Sequence, residues 1–279
     1  MAIKVAITNQ KGGVGKTTTA VNLSACLAMF GKKTLLVDMD PQGNATSGLG
    51  IDKENIQYHV YHALMGQVLL ENVIIGDVYK NLDVLPSKND LTGAEIELID
   101  QENREYTLKN ILSDVDDQYD VILIDCPPSL SLLSINTLVV ADHVLMPIQC
   151  EFYALEGISQ LVETINLVQE NLNNELYIGG VLMTMADTRT NLTKQVISEV
   201  TQYFEGKVYQ TLIPRNVRLS EAPSYGQPIV HYDPDCLGSE SYINFSREFL
   251  QRHFGEEAPV KKKLNRRLIS WLKRPSVKV

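Results

Sequence analysis

Two hydrophobic rhythms alternate along this chain. Short apolar-rich runs at residues 3–7, 33–38, 81–86, 119–125, 143–148, 177–183 and 208–213 read as strands. Between them, apolar residues recur at helical spacing over 19–30, 58–70, 91–98, 103–112 and 154–172. Two further helices follow, one running to Tyr203 out of the polar loop 184–191, the other over about 239–253. The clearest stripe is Leu155, Ile158, Leu161, Val162, Ile165 and Val168. The run Val121, Ile122, Leu123, Ile124 is apolar at every position, as a parallel strand covered on both faces requires. Strands alternating with helices predict an α/β fold, a doubly wound and mostly parallel sheet flanked by helices. No internal repeat is visible. The expected layout is one domain over 1–254 and a tail over 255–279.

Chemistry concentrates where strands end. The first strand runs into Lys11, Gly12, Gly13, Val14, Gly15, Lys16, Thr17 and Thr18, and a helical pattern follows. Three glycines between a strand and a helix let backbone N–H groups approach an anion, and the helix N-terminus adds partial positive charge. Lys16 is placed to reach β- and γ-phosphates, and the Thr17 hydroxyl to ligate Mg²⁺. The strand 33–38 ends in Asp38, with Asp40 two residues on in a loop marked by Pro41 and Gly43. The strand 119–125 ends in Asp125, broken at once by Pro127 and Pro128. Carboxylates at the C-terminal ends of parallel strands face the crevice where open α/β sheets bind ligands. Asp125 is therefore expected to hold the hydration shell of Mg²⁺. These residues point to a metal-bound triphosphate and leave the base open. An Asn-Lys-x-Asp guanine-reading pattern is absent, which favours ATP over GTP.

Charge changes the picture at one end only. The net charge is −9, yet residues 259–279 carry Lys261, Lys262, Lys263, Arg266, Arg267, Lys273, Arg274 and Lys278 and no acid. That is +8, so residues 1–258 carry −17. An acidic body does not attract DNA or an anionic membrane through its average field, so such binding needs a local patch or the tail. In the tail Leu264, Leu268, Trp271 and Leu272 recur at helical spacing among the basic residues. A membrane-surface helix, an extra DNA contact and a solvated tail all fit that pattern. No run reaches the length of a membrane span, and Cys26, Cys126, Cys150 and Cys236 form no C-x-x-C pair. A cytoplasmic protein with reduced core thiols is the expectation.

The loop departs from the general phosphate-loop pattern, which has glycine where Gln10 stands; a second lysine, Lys11, leads it instead. This resembles the deviant Walker A box of the ParA/MinD ATPases. Further matches are 37–44, 124–128, 151–157 and 213–223, and over about 1–254 the chain resembles a ParA-type partition ATPase of the Soj branch. The resemblance implies slow ATP hydrolysis in a homodimer that sandwiches two ATP molecules. It implies that Lys11 reaches the partner's phosphates, that Asp40 positions the attacking water, and that Asp38 supports the metal region. Pro214 and Asn216 then hold adenine, and Arg189 and Arg218, read as lying on polar loops, make non-specific contacts to double-stranded DNA. Hydrolysis would be stimulated by a ParB-like protein, and the protein would associate with the nucleoid. A MinD-like ATPase cycling on a membrane surface through the tail is the alternative. An iron–sulfur carrier of the same fold is the third reading, and the missing cysteine pair counts against it.

Overall fold

The computed structural model describes residues 1–151 and 156–257. Seven strands make one sheet: β1 Ile3–Ile7, β2 Thr34–Asp38, β3 Ile75–Tyr79, β4 Leu82–Leu85, β5 Val121–Asp125, β6 His143–Gln149 and β7 Tyr177–Thr184. Their order across the sheet is β3-β4-β2-β5-β1-β6-β7, parallel throughout except for β3 against β4. The helices are α1 Lys16–Met29, α2 Asn44–Gly48, α3 Val60–Leu64, α4 Leu91–Glu97, α5 Thr107–Leu112, α6 Leu132–Val140, α7 Glu156–Asn171, α8 Asn191–Tyr203, α9 Val217–Glu221, α10 Ile229–Tyr232 and α11 Leu237–Phe254.

Strand alternation divides the core by face. Leu36, Val121 and Leu123 pack with α1, α10 and α11, whereas Leu35, Val37, Ile122 and Ile124 pack with α3, α4 and α5. A third cluster joins Val144, Met146, Val181 and Met183 to α6, α7 and α8. With helices on both faces, every central strand must be apolar on both sides, which is the pattern its sequence shows. By the same period of two, Asp38 follows Leu36 and Asp125 follows Leu123 onto the face that α1 covers.

Several elements differ from the sequence expectation. The stretch 208–213 is not a regular strand. Isolated bridges, Val181 with Val208 and Ala186 with Pro214, and the bond from Ile213 N–H to Met183 O tie this segment to β7 and its loop. The Glu248 carboxylate explains the gap, because it accepts from the N–H groups of Gln210 at 2.7 Å and Thr211 at 3.0 Å. Those amides therefore leave the ladder for α11. The helix expected over 58–70 stops at Leu64, where the chain turns through Gly66. The helix expected from residue 154 is seen from Glu156, and residues 154 and 155 lie outside the described part, as does the tail from 258. The antiparallel edge β3 and helix α6 have no counterpart in the sequence reading. Cys26 and Cys126 are core thiols as expected, but Cys236 instead caps α11, its Sγ accepting from Ser239 N–H at 3.3 Å. Among the described residues no helix is long and apolar enough to cross a membrane.

One strand in from the sheet edge, His143 on β6 stacks on His253 of α11, ring centroids 4.2 Å apart and nearly coplanar. Two glycines make room for such rings. A Cβ at Gly179 would strike His143, and one at Gly180 would strike Tyr209. Burial pushes the His143 pKa down to about 3, with His253 adding to the effect. Above pH 6.5 both folded and unfolded states are neutral here. Below it the unfolded chain takes a proton that the folded chain refuses, so stability falls with pH until about 3. The slope is about 1.4 kcal/mol per pH unit, or roughly 2 kcal/mol by pH 5. His143→Phe keeps an aromatic ring and sacrifices no bond at Nε2, which has no partner. Denaturant titrations at pH 7 and pH 5 should show the variant losing about 2 kcal/mol less than the parent.

Candidate active site

The loop between β1 and α1 is fixed at both ends. Asn9 Nδ2 donates to Pro147 O at 2.8 Å, and Asn9 Oδ1 accepts from Lys11 N–H at 3.0 Å. Thr184 Oγ1 donates to Val14 O at 2.8 Å. Gly13 and Gly15 sit at φ 75° and 92°, which L side chains adopt rarely, and Gly15 caps α1. The helix consequently starts at Lys16, three residues before the periodicity alone indicates. Its first N–H groups open toward the loop, where an anion is best held. Gly12 and Gly13 are exposed, Lys16 is buried, and its Nζ donates to Lys11 O at 3.1 Å.

Register brings the acids to this spot. Asp38 and Asp125 lie side by side at the ends of adjacent parallel strands, and Ile7 pairs with Asp125 on the other side. Asp38 is fully committed. Its Oδ1 accepts from Asp40 N–H at 3.2 Å, and its Oδ2 accepts from Thr46 N–H at 2.8 Å and Thr46 Oγ1 at 2.7 Å. Asp40 is also buried, and its Oδ1 accepts from Gln42 N–H at 2.9 Å. Asp125 differs, since both its oxygens are buried and neither has a hydrogen-bond partner. Burial first, then the charges of Asp38 and Asp40, push its pKa well above the carboxylate range, with Thr17 and Lys16 only partly offsetting them. Burial likewise pushes Asp38 up to about 6, against the bonds from Thr46 and Asp40. The Lys16 pKa is lowered by burial, despite the nearby carboxylates. Three buried acids thus face one buried ammonium. A carboxylate with no partner beside a threonine hydroxyl at a helix N-terminus fits a hard, oxygen-seeking cation such as Mg²⁺.

Beside the loop lies a cavity of about 340 Å³. Gly15 and Thr18 form its floor, and Thr184, Met185, Pro214, Arg215 and Asn216 stand among its walls. Pro214 and Asn216, singled out in the sequence, are therefore brought to the phosphate loop. The lining also includes Met185, Ser220 and Tyr242, which the sequence reading missed. Met185 carries φ 51°, a strain invisible in sequence, and Tyr242 arrives from α11 to meet Thr19 Oγ1 at 3.2 Å. Asn216 Oδ1 caps α9 by accepting from Arg218 N–H at 2.8 Å. Arg218 consequently sits in a short helix and not in a loop, because the asparagine cap nucleates one. Arg189 lies in the loop before α8, as expected. Lys11 is ion-paired with Glu151 of the same chain.

A family model described as an AAA domain matches residues 2–178. The sporulation initiation inhibitor protein Soj of Bacillus subtilis (strain 168) is 58% identical over 244 residues, 88% of this chain and 96% of the relative. The chromosome partitioning protein ParA of Myxococcus xanthus (strain DK1622) is 52% identical over 248 residues, 89% of this chain and 88% of that one. The chain belongs to the ParA/Soj family of chromosome-partitioning ATPases. Solved structures share the fold. A Mycobacterium smegmatis protein described as cobyrinic acid a,c-diamide synthase, crystallised with an ATP analogue and magnesium, matches with TM-score 0.79 and 35% identity. The match covers 93% of this chain and 99% of that one. The cell division ATPase MinD of Pyrococcus furiosus shares the fold, with TM-score 0.75 at 24% identity over 90% of this chain and 99% of that one. In this ParA/Soj-family chain the partnerless Asp125 stands beside Lys16 and Thr17 at the start of α1.

Proposed function

We propose that this ParA/Soj-family ATPase is a nucleotide-gated DNA clamp. ATP with Mg²⁺ enters the cleft, and two protomers close over two nucleotides. The dimer holds double-stranded DNA without sequence preference, and hydrolysis stimulated by a ParB-like partner releases it. Repeated cycles would serve segregation of a chromosome or plasmid. The observation that carries this reading is the buried, partnerless carboxylate of Asp125 at the N-terminus of α1, beside Lys16 and Thr17.

The roles follow from position. Gly12, Gly13, Val14, Gly15 and Thr18 offer backbone N–H groups to the phosphates, and Lys16 offers its ammonium. Thr17 and Asp125 would hold Mg²⁺, which would neutralise phosphate charge; Asp38, with its oxygens already engaged, braces the Asp40 loop beside them. Asp40 would orient the attacking water. Pro214 and Asn216 would receive adenine in the cavity. Lys11 would leave Glu151 for the partner's phosphates, supplying positive charge where it is needed most. Because part of the site then belongs to the other protomer, a monomer should hydrolyse ATP poorly, and the nucleotide acts as a timer. Arg189 and Arg218 would contact DNA, and two protomers double the number of phosphates engaged.

The test is a DNA-binding titration with and without ATP, with Asp40→Ala blocking hydrolysis. Binding that requires ATP is expected; equal binding without nucleotide would sink the clamp. In the same assay Arg218→Ala should abolish DNA binding and leave ATP binding intact. Loss of ATP binding instead would assign α9 a structural role.

The sequence of 259–279, basic with apolar residues at helical spacing, favours a second reading in which the ATPase also touches an anionic membrane. Deleting 259–279 should then remove vesicle binding and spare DNA binding at matched salt. The first reading places the protein on the cytoplasmic nucleoid, the second at the membrane periphery.

A further inference from the structure

The two arginines assigned to DNA are already engaged in the free protomer. Arg189 grips Asp187 through both carboxylate oxygens, Nε to Oδ1 at 2.8 Å and Nη2 to Oδ2 at 2.7 Å. Its backbone N–H donates to the same Oδ1 at 3.1 Å. Arg218 Nη1 donates to Glu221 Oε2 at 2.9 Å, and its Nε lies 3.3 Å from Asp233 Oδ2. The Tyr232 hydroxyl donates to that same Glu221 oxygen at 3.1 Å. Each guanidinium fork therefore holds carboxylate oxygens where DNA would offer phosphate oxygens. The Arg189 bonds hold the Asp187 carboxyl down at about 2, so it stays charged.

These pairs stand on one structural unit. Ala186 N–H donates to Ile213 O at 3.0 Å and Ile213 N–H to Met183 O at 2.9 Å, tying the two segments together. Both segments line the cavity beside the phosphate loop, one through Thr184 and Met185, the other through Pro214 and Asn216. Asp187 and Glu221 follow closely on these two segments, and Asp233 joins them from the end of α10.

We propose that Asp187, Glu221 and Asp233 are built-in competitors for DNA phosphate, which weaken the contacts of each protomer so that binding depends on pairing two. The proposal rests on Arg189 and Arg218 being DNA contacts. Exchanging a carboxylate for a phosphate leaves the count of charge-assisted hydrogen bonds nearly unchanged. It also strands a bare carboxylate within a Debye length of about 8–10 Å of the DNA backbone. Little is gained by one protomer, and the excess must come from the number of phosphates engaged together. A body carrying −17 over residues 1–258 adds to the same restraint.

Asp187→Asn and Asp233→Asn test this in the full-length protein with ATP and the hydrolysis block Asp40→Ala. Asparagine at 187 keeps an oxygen for the Arg189 N–H. Each change should tighten double-stranded DNA binding about twofold to fivefold, and the double variant more, as loss of an exposed ion pair allows. The fall of affinity with salt should steepen, since more unpaired cations meet phosphate. ATP affinity should not move. If affinity is unchanged or weaker while Arg218→Ala still abolishes binding, the acids position the arginines and the competition is refuted. If Arg189→Ala and Arg218→Ala leave DNA binding intact, the DNA assignment itself falls.

Discussion

Asp40→Ala is expected to slow ATP turnover by a factor of 100 or more while leaving ATP affinity within about threefold. A positioned group that orients or polarises the attacking water contributes roughly 10²–10⁴ in rate. Asp40 is 8% exposed and stands beside the buried pair Asp38 and Asp125. The loop does not depend on its carboxylate for shape. Its backbone N–H donates to Asp38, and a Cβ at Gly43 would lie 2.6 Å from Ser87 O, so the turn is packed tightly from behind. Removing the side chain costs one bond, to Gln42 N–H. It also removes a negative charge that raises the pKa of both neighbouring acids. The nucleotide-bound form should therefore accumulate. Single-turnover phosphate release set against an ATP-binding isotherm separates the two effects. Normal turnover in the variant would remove Asp40 from the reaction.

Lys16→Ala should weaken triphosphate binding at least a hundredfold. A hydrogen bond to a charged group contributes about 1.5–3 kcal/mol, and stranding its partners adds to that loss. About 3 kcal/mol corresponds to more than a hundredfold in affinity. The environment makes this lysine hard to replace. It is the buried ammonium facing Asp125 and Asp40, and its position is set by Gly15 and by the bond to Lys11 O. Lys11 cannot substitute, since in the free protomer it is paired with Glu151. A thermal-shift titration with ATP and Mg²⁺ reads the affinity, and the melting temperature without ligand reads the fold. Retained ATP affinity in a folded variant would mean that the loop N–H groups alone hold the phosphates.

Much of this protein is written in local sequence. The two-sided apolar strands, the helical stripes and the glycines between β1 and α1 specify a doubly wound sheet with a phosphate loop. Those features are local because strand period, helix period and glycine conformation depend on a few adjacent residues. Glycine and lysine at 12, 13, 15 and 16 suffice to mark the loop, and an aspartate closing each of two buried strands marks the side proposed for the metal.

What tertiary structure decided was partnership. Register alone sets Asp38 beside Asp125, although 87 residues separate them, and burial then leaves one carboxylate saturated and the other bare. Glu248 pulls 210–211 out of the sheet, and Tyr242 crosses from α11 to the cavity. The arginines at 189 and 218 take their first partners locally, Asp187 two residues before and Glu221 three residues after, and only Asp233 reaches Arg218 from further along the chain. Long-range contacts such as Asp38 beside Asp125 carry no local periodicity. They arise when separate elements are packed against one sheet, and the choice of partner for a charged side chain is made there.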